Sequence, residues 1–174
     1  MRTEKGVTLV EACVVMSICG VLAAVAVPSM RGLVERQALR GSADELRADL
    51  QLLRSASIGQ GQRLWLVVQA AAGGSCYLIH SGNNGDCRCD AGGQAACNEG
   101  AKALKTVGFR ADGKVQLQST AAALAFEPVR GTLTPTATLK LVGRAGAAVH
   151  QVLNVMGRAR ACSPGGAVPG YKAC

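Results

Sequence analysis

The chain has 174 residues, 49% of them hydrophobic, but only five aromatic side chains, so its core must be mostly aliphatic. A base-stacking platform and a large flat cofactor site are correspondingly disfavoured. The formal charge of +8 is unevenly placed: residues 1–100 carry nine Lys/Arg and nine Asp/Glu, whereas residues 101–174 carry ten Lys/Arg against Asp112 and Glu127 alone. Such an asymmetry fits a polyanionic partner (nucleic acid, acidic lipid or acidic polysaccharide) or a solvated basic surface.

In chain order, the first informative stretch is Gly6-Val7-Thr8-Leu9-Val10-Glu11 and the apolar run behind it to Pro28. Between Val7 and Val27 the only charged residue is Glu11. At 1.5 Å per helical residue the run spans about 30 Å, the thickness of a bilayer's hydrocarbon core. A carboxylate inside a membrane helix costs about 2.5–3.5 kcal/mol on insertion scales, so a partner is expected. Cleavage after Gly6 would supply one, a free α-amine on Val7 four residues from Glu11. The run lacks a small-residue cleavage site behind its apolar part, so it should stay on the mature chain.

A short basic leader ending in Gly6, followed by Val7, Thr8, Leu9, Val10 and Glu11, resembles the N-terminus of type IV pilins and type II secretion pseudopilins. The resemblance implies that a prepilin peptidase cuts between Gly6 and Val7 and methylates the new amine at Val7. It also implies that Glu11 docks the subunit among other pilins in a filament. Gly20 and Pro28 match helix-weakening positions of the family, whereas Val7 departs from its usual phenylalanine. Positive charges alone leave the membrane orientation ambiguous. The resemblance implies a single pass of the inner membrane with a periplasmic body, and then a pilus at the cell surface. The organisation expected is a leader at 1–6, a transmembrane and filament-core helix at 7–30, its amphipathic half at 31–60, and a β-rich globular domain with a basic tail at 61–174. The roughly 115 residues outside leader and anchor support one core.

Pro28 should bend or loosen the helix. Beyond it Leu39, Ala43, Leu46, Leu50 and Leu53 form one apolar stripe at helical spacing. Arg40, Asp44, Arg47, Gln51 and Arg54 lie on another side and read as a solvated face, and the helix should end near Gly59 and Gly61. The period then changes. Arg63–Gln69 and Cys76–His80 read as strands, and Ser81–Gly100 as a long Gly, Asn, Asp and Cys-rich loop. Thr106–Phe109 and Lys114–Gln118 flank Ala111-Asp112-Gly113, a hairpin signal. Leu124–Phe126, the alternation of Thr136, Thr138 and Lys140 with Ala137, Leu139 and Leu141, and Val149–Met156 complete the strands. The fold class is α+β: a pilin fold, its long N-terminal helix packed on antiparallel sheet with disulfide-held loops.

Of eight cysteines, Cys13 and Cys19 sit in the apolar run and are expected to pack as small hydrophobes. Cys76, Cys87, Cys89, Cys97, Cys162 and Cys174 read as disulfides of an oxidising compartment. Cys162 with Cys174 is the favoured pair because both flank a Gly/Pro-rich terminal loop, and the order of the other four stays open. A zinc site at those four is disfavoured by the Cys-x-Cys spacing, so neither a metal nor a cofactor is expected.

In the tail, Gly157-Arg158-Ala159-Arg160 follows a strand and precedes Cys162. On an extended segment Arg158 and Arg160 project to one side, where two guanidinium groups suit phosphate oxygens. Gly157 permits a turn, and Lys140, Arg144 and Lys172 could extend the patch. A Gly-Arg-x-Arg near the end of a pilin-like domain resembles the FimT branch of the GspH/FimT minor-pilin family. That resemblance implies double-stranded DNA as a partner in natural transformation, and with no aromatic platform near the motif other than Tyr171 the binding should be insensitive to sequence. The alternative is a structural minor pilin or a pseudopilin H-like subunit that initiates or tips a filament without binding DNA. An enzyme is not expected, since His80 and His150 have no nucleophile or carboxylate arranged around them.

Overall fold

The computed structural model of the chain describes Gly6 and residues 8–71, 73–90 and 92–174, with the backbone alone for residues 27–29, 31 and 71. Residues 1–5 and Val7, and with them the expected cleavage and methylation point, lie outside the described residues. Two compact units divide the chain, Met1–Val34 and Glu35–Cys174.

The first unit carries the start of α1 (Leu9–Gln60). Thr8 sets that start. Its Oγ1 accepts the N–H of Glu11 at 3.3 Å, and its carbonyl accepts the N–H of Ala12 at 3.1 Å. Thr8 and Glu11 thus occupy the N-cap and third positions of a capping-box sequence, which places the carboxylate at the positive end of the helix dipole. The stretch Leu9–Ala26 is long and apolar enough to cross a membrane, and none of it is buried within the chain. Cys13 and Cys19 are free and exposed there, so within one chain they do not pack as small hydrophobes. The helix passes through Pro28 without interruption.

In the second unit the apolar stripe behaves as its spacing requires: Leu39, Ala43, Leu46, Leu50 and Leu53 are all buried. At about 1.5–3 kcal/mol for each large aliphatic side chain, this stripe is the main attachment of the helix to the sheets. The helix ends where the glycines suggest. Gly61 takes φ +63°, its N–H bonds to the Ile58 carbonyl at 3.2 Å, and the Gln62 N–H reaches the Ser57 carbonyl at 3.2 Å. Those two bonds make a Schellman C-cap.

The expected antiparallel sheet is two sheets and a ribbon. The first sheet has the order β5-β2-β1-β7-β8 and the second β11-β10-β9-β6, all antiparallel. The first-sheet strands are β1 (Leu64–Ala71), β2 (Gly74–His80), β5 (Ala103–Arg110), β7 (Ala123–Glu127) and β8 (Thr132–Thr134). The second-sheet strands are β6 (Val115–Ser119), β9 (Ala137–Gly143), β10 (Ala148–Leu153) and β11 (Ala159–Cys162). Leu66, Tyr77, Ile79, Leu124 and Phe126 from the first sheet join Leu117, Leu139, Leu141 and Val149 from the second in one core under α1. The alternation in β9 is clean: Ala137, Leu139, Leu141 and Gly143 are buried, with half-exposed residues between them.

The hairpin expected at Ala111-Asp112-Gly113 does not form. A tight turn is there, with the Gly113 N–H on the Arg110 carbonyl at 2.9 Å. It carries the chain from β5, paired with β2, to β6, paired with β9. The turn residues specify a reversal of direction, whereas the choice of partner follows from burying Val115 and Leu117 in the shared core. The loop 81–100 also has structure of its own. β3 (Cys87–Cys89) and β4 (Ala95–Cys97) form a short ribbon, and Cys87 packs with Val67 and Leu78 of the first sheet in a second, smaller cluster. Val149–Met156 is shorter as a strand than its apolar run: Val155 and Met156 lie in the turn after β10, exposed.

All six cysteines of this unit are paired, Cys76 with Cys89, Cys87 with Cys97, and Cys162 with Cys174 as expected.

One polar cluster ties the helix to the first sheet. Asp49 is 4% exposed on α1. Its carboxylate accepts the Tyr77 hydroxyl at 2.6 Å and the Lys105 ammonium at 2.8 Å, and Lys105 also reaches Glu45 at 3.1 Å. Burial, and then the neighbouring Asp49 carboxylate, push the Tyr77 hydroxyl well above the usual tyrosine range. The bond to Asp49 holds the Lys105 ammonium above the usual lysine range.

Candidate functional site

The Gly157-Arg158-Ala159-Arg160 segment lies where β10 turns into β11, the edge strand of the second sheet. The turn is closed by the Gly157 N–H on the Asn154 carbonyl at 2.9 Å and by the Arg158 N–H on Asn154 Oδ1 at 2.9 Å. Gly157 takes φ +67°, and a Cβ built there would overlap the Phe126 ring. Phe126 is a core residue of β7, so this turn rests directly on the first sheet. Only glycine satisfies both the left-handed backbone and the close approach. Arg158 is thereby held at a fixed place beside the helix.

Arg160 pairs across β10 with Val152, which is partly exposed, so it points away from the helix-facing core. Lys140 is on the same outward face of the sheet, opposite His150 in the next row. Two strands and two residues separate it from Arg160, roughly 12 Å by sheet spacing. Arg144 sits in the β9–β10 turn, at the opposite end of the sheet from Gly157, with its Nε donating to the Gly113 carbonyl at 3.1 Å. It therefore does not extend the patch.

The terminal segment is built against this edge. Ser163 Oγ donates to the Ala148 carbonyl at 2.8 Å and accepts the Val168 N–H at 3.1 Å. The Ser163 N–H donates to the Lys172 carbonyl at 2.9 Å, and Ser163 and Ala173 form a parallel bridge. Val168 is fully buried in the main core, and Arg40 of α1 donates to the Pro169 carbonyl. Burial and the Asp44 carboxylate push the Tyr171 hydroxyl up, against the pull of Arg40 and Arg47. His150 Nδ1 lies 3.7 Å from Cys174 Sγ. Burial, and then the Lys140 charge, hold the His150 imidazole below the usual histidine range.

Two clefts result, sharing Arg47, Arg158 and Ala159. The larger, about 730 Å³, is lined by Arg47 of α1, by Arg158 and Arg160, and by Tyr171 and Lys172 of the tail. The smaller, about 190 Å³, runs between Arg47, Gln51 and Arg54 of α1 and the segment from Gly157 to Ala159. Arg158, Arg160 and Lys172 are thus brought together. Arg47 and Arg54, on the face of α1 expected to be merely solvated, border these clefts. All five side chains are exposed, and among the described residues none is paired with a carboxylate. The signal that could have found the helix arginines was their offset from the buried stripe: Arg47 and Arg54 each follow a buried leucine, Leu46 and Leu53, and so flank the helix's packed edge.

Chemically, the arrangement is a concave, water-accessible surface carrying four guanidinium groups and an ammonium. The guanidinium groups can grip phosphate or carboxylate oxygens bidentately, and the ammonium adds a point charge.

Comparison with protein families matches residues 42–157 to the family described as type II transport protein GspH. The match ends at Gly157, so it spans Arg47 and Arg54 but not the tail. Among solved structures the fold is similar to the type IV minor pilin FimU of Pseudomonas aeruginosa, with a TM-score of 0.55 and 18% sequence identity over 75% of this chain and 95% of that chain. Comparison with curated proteins finds no match.

Proposed function

The chain belongs to the GspH family of type II transport proteins, and from that premise we propose that it is a minor pilin that binds duplex DNA through Arg158, Arg160 and Lys172 during DNA uptake, as in the FimT branch. The observation that carries the reading is the cleft in which those three cations converge, none of them paired with a carboxylate among the described residues. Few aromatic side chains stand near it, Tyr171 being one and half-buried, so contact falls on phosphates and is insensitive to sequence. Pilin-like association in a filament is the general role of such subunits. The finer points belong to the proposal: peptidase cleavage between Gly6 and Val7, methylation at Val7, Glu11 and Pro28 as assembly residues, an inner-membrane anchor at 7–30 and a periplasmic body at 61–174.

Replacing Arg158 and Arg160 with Ala should lower the slope of log affinity against log salt by up to about 1.8 for duplex DNA. Fluorescence anisotropy of a labelled duplex across a salt series reads this directly. An unchanged slope and affinity would remove both residues from the interaction.

A second reading is favoured by where the family match ends. The matched residues stop short of the tail, which supports a structural subunit that initiates or tips a filament without binding DNA. Normal piliation with lost DNA uptake in the Arg158/Arg160 variant supports the first reading, and lost piliation supports the second.

A further inference from the structure

The helix arginines are not spectators to that cleft. Arg47 lines both clefts, with Arg158 in each and Arg160 in the larger, and Arg54 lines the smaller one with Gly157, Arg158 and Ala159. They are seven residues apart on α1, two turns, or about 10.5 Å along the axis. Arg158 and Arg160 are two apart on an extended chain, about 6.6 Å. The cleft therefore has two cationic walls, each longer than a single phosphate group.

Like charges gathered this closely repel one another unless something neutralises them. Two of the three carboxylates of the same helix turns are engaged elsewhere: Asp49 is committed to Tyr77 and Lys105, and Glu45 contacts Lys105, whereas Asp44 lies beside Tyr171 at the rim of the larger cleft. The walls keep a net positive charge, and an anion that extends over more than one phosphate group would complement both.

We infer that Arg47 and Arg54 form the second wall of the binding site, and that one phosphodiester strand of a duplex lies between them and Arg158 with Arg160. This deepens the DNA reading and rests on it. It assigns the site a direction, along the β11 edge and across α1. It also makes the helix a part of the binding surface.

The test uses the full-length chain in detergent, a labelled 30-base-pair duplex and the corresponding single strand, with affinity measured across a salt series. Four proteins are compared with wild type: Arg47→Ala/Arg54→Ala, Arg158→Ala/Arg160→Ala, Arg47→Lys/Arg54→Lys, and a control, Arg36→Ala/Arg88→Ala, which removes two exposed arginines that do not line the cleft. The helix pair and the tail pair should each lower the duplex slope by up to about 1.8, and by up to about 1.4 for a single strand. The lysine pair should retain the slope with weakened affinity, because charge persists while the bidentate grip is lost. The control should match wild type. A tail effect with an unchanged helix pair overturns the inference and leaves the DNA reading standing. No effect of either pair overturns both. A control as damaging as the helix pair also overturns the inference, since bulk charge would then explain the loss. Thermal melts of each variant separate misfolding from lost contacts, and the lysine pair keeps the test informative if the alanine pair is unstable.

Discussion

Two regions of this protein are closed by cysteines, and they use their charged residues in opposite ways. The ribbon over the first sheet, within residues 81–100, contains Asp86, Asp90, Glu99 and Arg88. Its two aspartates work for the fold: Asp90 Oδ1 accepts the N–H groups of Gly92 at 2.9 Å and Gln94 at 2.8 Å, and Asp86 Oδ2 accepts that of Asn83 at 2.7 Å. The tail, residues 157–174, contains Arg158, Arg160 and Lys172 and no acid. Its internal bonds are made by the backbone and Ser163, and among the described residues none of its three cations is paired with a carboxylate. The ribbon thus draws its aspartates into its turns, whereas the tail keeps all its charge at the surface.

The largest expected effect breaks the tail's footing. Gly157→Ala puts a Cβ into the Phe126 ring at a left-handed backbone position and should cost about 3–4 kcal/mol of stability in urea melts. A cost below about 1 kcal/mol would mean that the turn is free to move off the core. A second test opens each cysteine-closed loop in turn. Converting either Cys162 and Cys174 or Cys87 and Cys97 to serine opens loops of similar length, with sequence separations of 12 and 10. Each should cost about 3 kcal/mol. Only the first pair should also lower the DNA salt slope, by about one unit, the share of Lys172. Equal effects on DNA from both pairs would dissolve the distinction between the loops. The smallest effect is a pH dependence. The folded state holds the His150 imidazole below its usual range. Its contribution is therefore present above the unfolded value near 6.5 and is lost as pH falls through the lower folded value. Stability should decline as pH falls below about 6.5, and His150→Asn should flatten that decline. An identical pH profile in the variant would exclude His150 as its source.

What could be read in the sequence was whatever a short period determines. The spacing of Leu39 to Leu53 fixes a helix face wherever the sheets lie, and the alternation from Ala137 to Leu141 fixes a strand face. The Cys162–Cys174 pair followed from local flanking sequence. Partners distant in sequence could not be read. Ala111-Asp112-Gly113 announces a turn, but whether β5 then pairs with β6 depends on β2 and β9, which claim them first. β8, at Thr132–Thr134, is three residues long, too short to carry a period. Arg47 and Arg54 read as solvated because a helix sequence specifies its buried face and says nothing of which neighbour borders the exposed one. Their place in a cleft appears only when the chain returns, more than a hundred residues later, along the segment from Gly157 to Ala159.

The buried Asp49 has a consequence for where those arginines stand. A leucine stripe is nearly self-similar from one turn to the next, so apolar contact alone would permit α1 to slip along the sheets by a turn, about 5.4 Å. Slippage would strand the carboxylate among aliphatic side chains, away from the Tyr77 hydroxyl and the Lys105 ammonium, at a penalty of several kcal/mol. The acid thus serves as a detent that selects a single sliding position for the helix. With Arg47 two residues before it and Arg54 five after, that one notch also indexes the spacing of the cationic wall against the strand opposite.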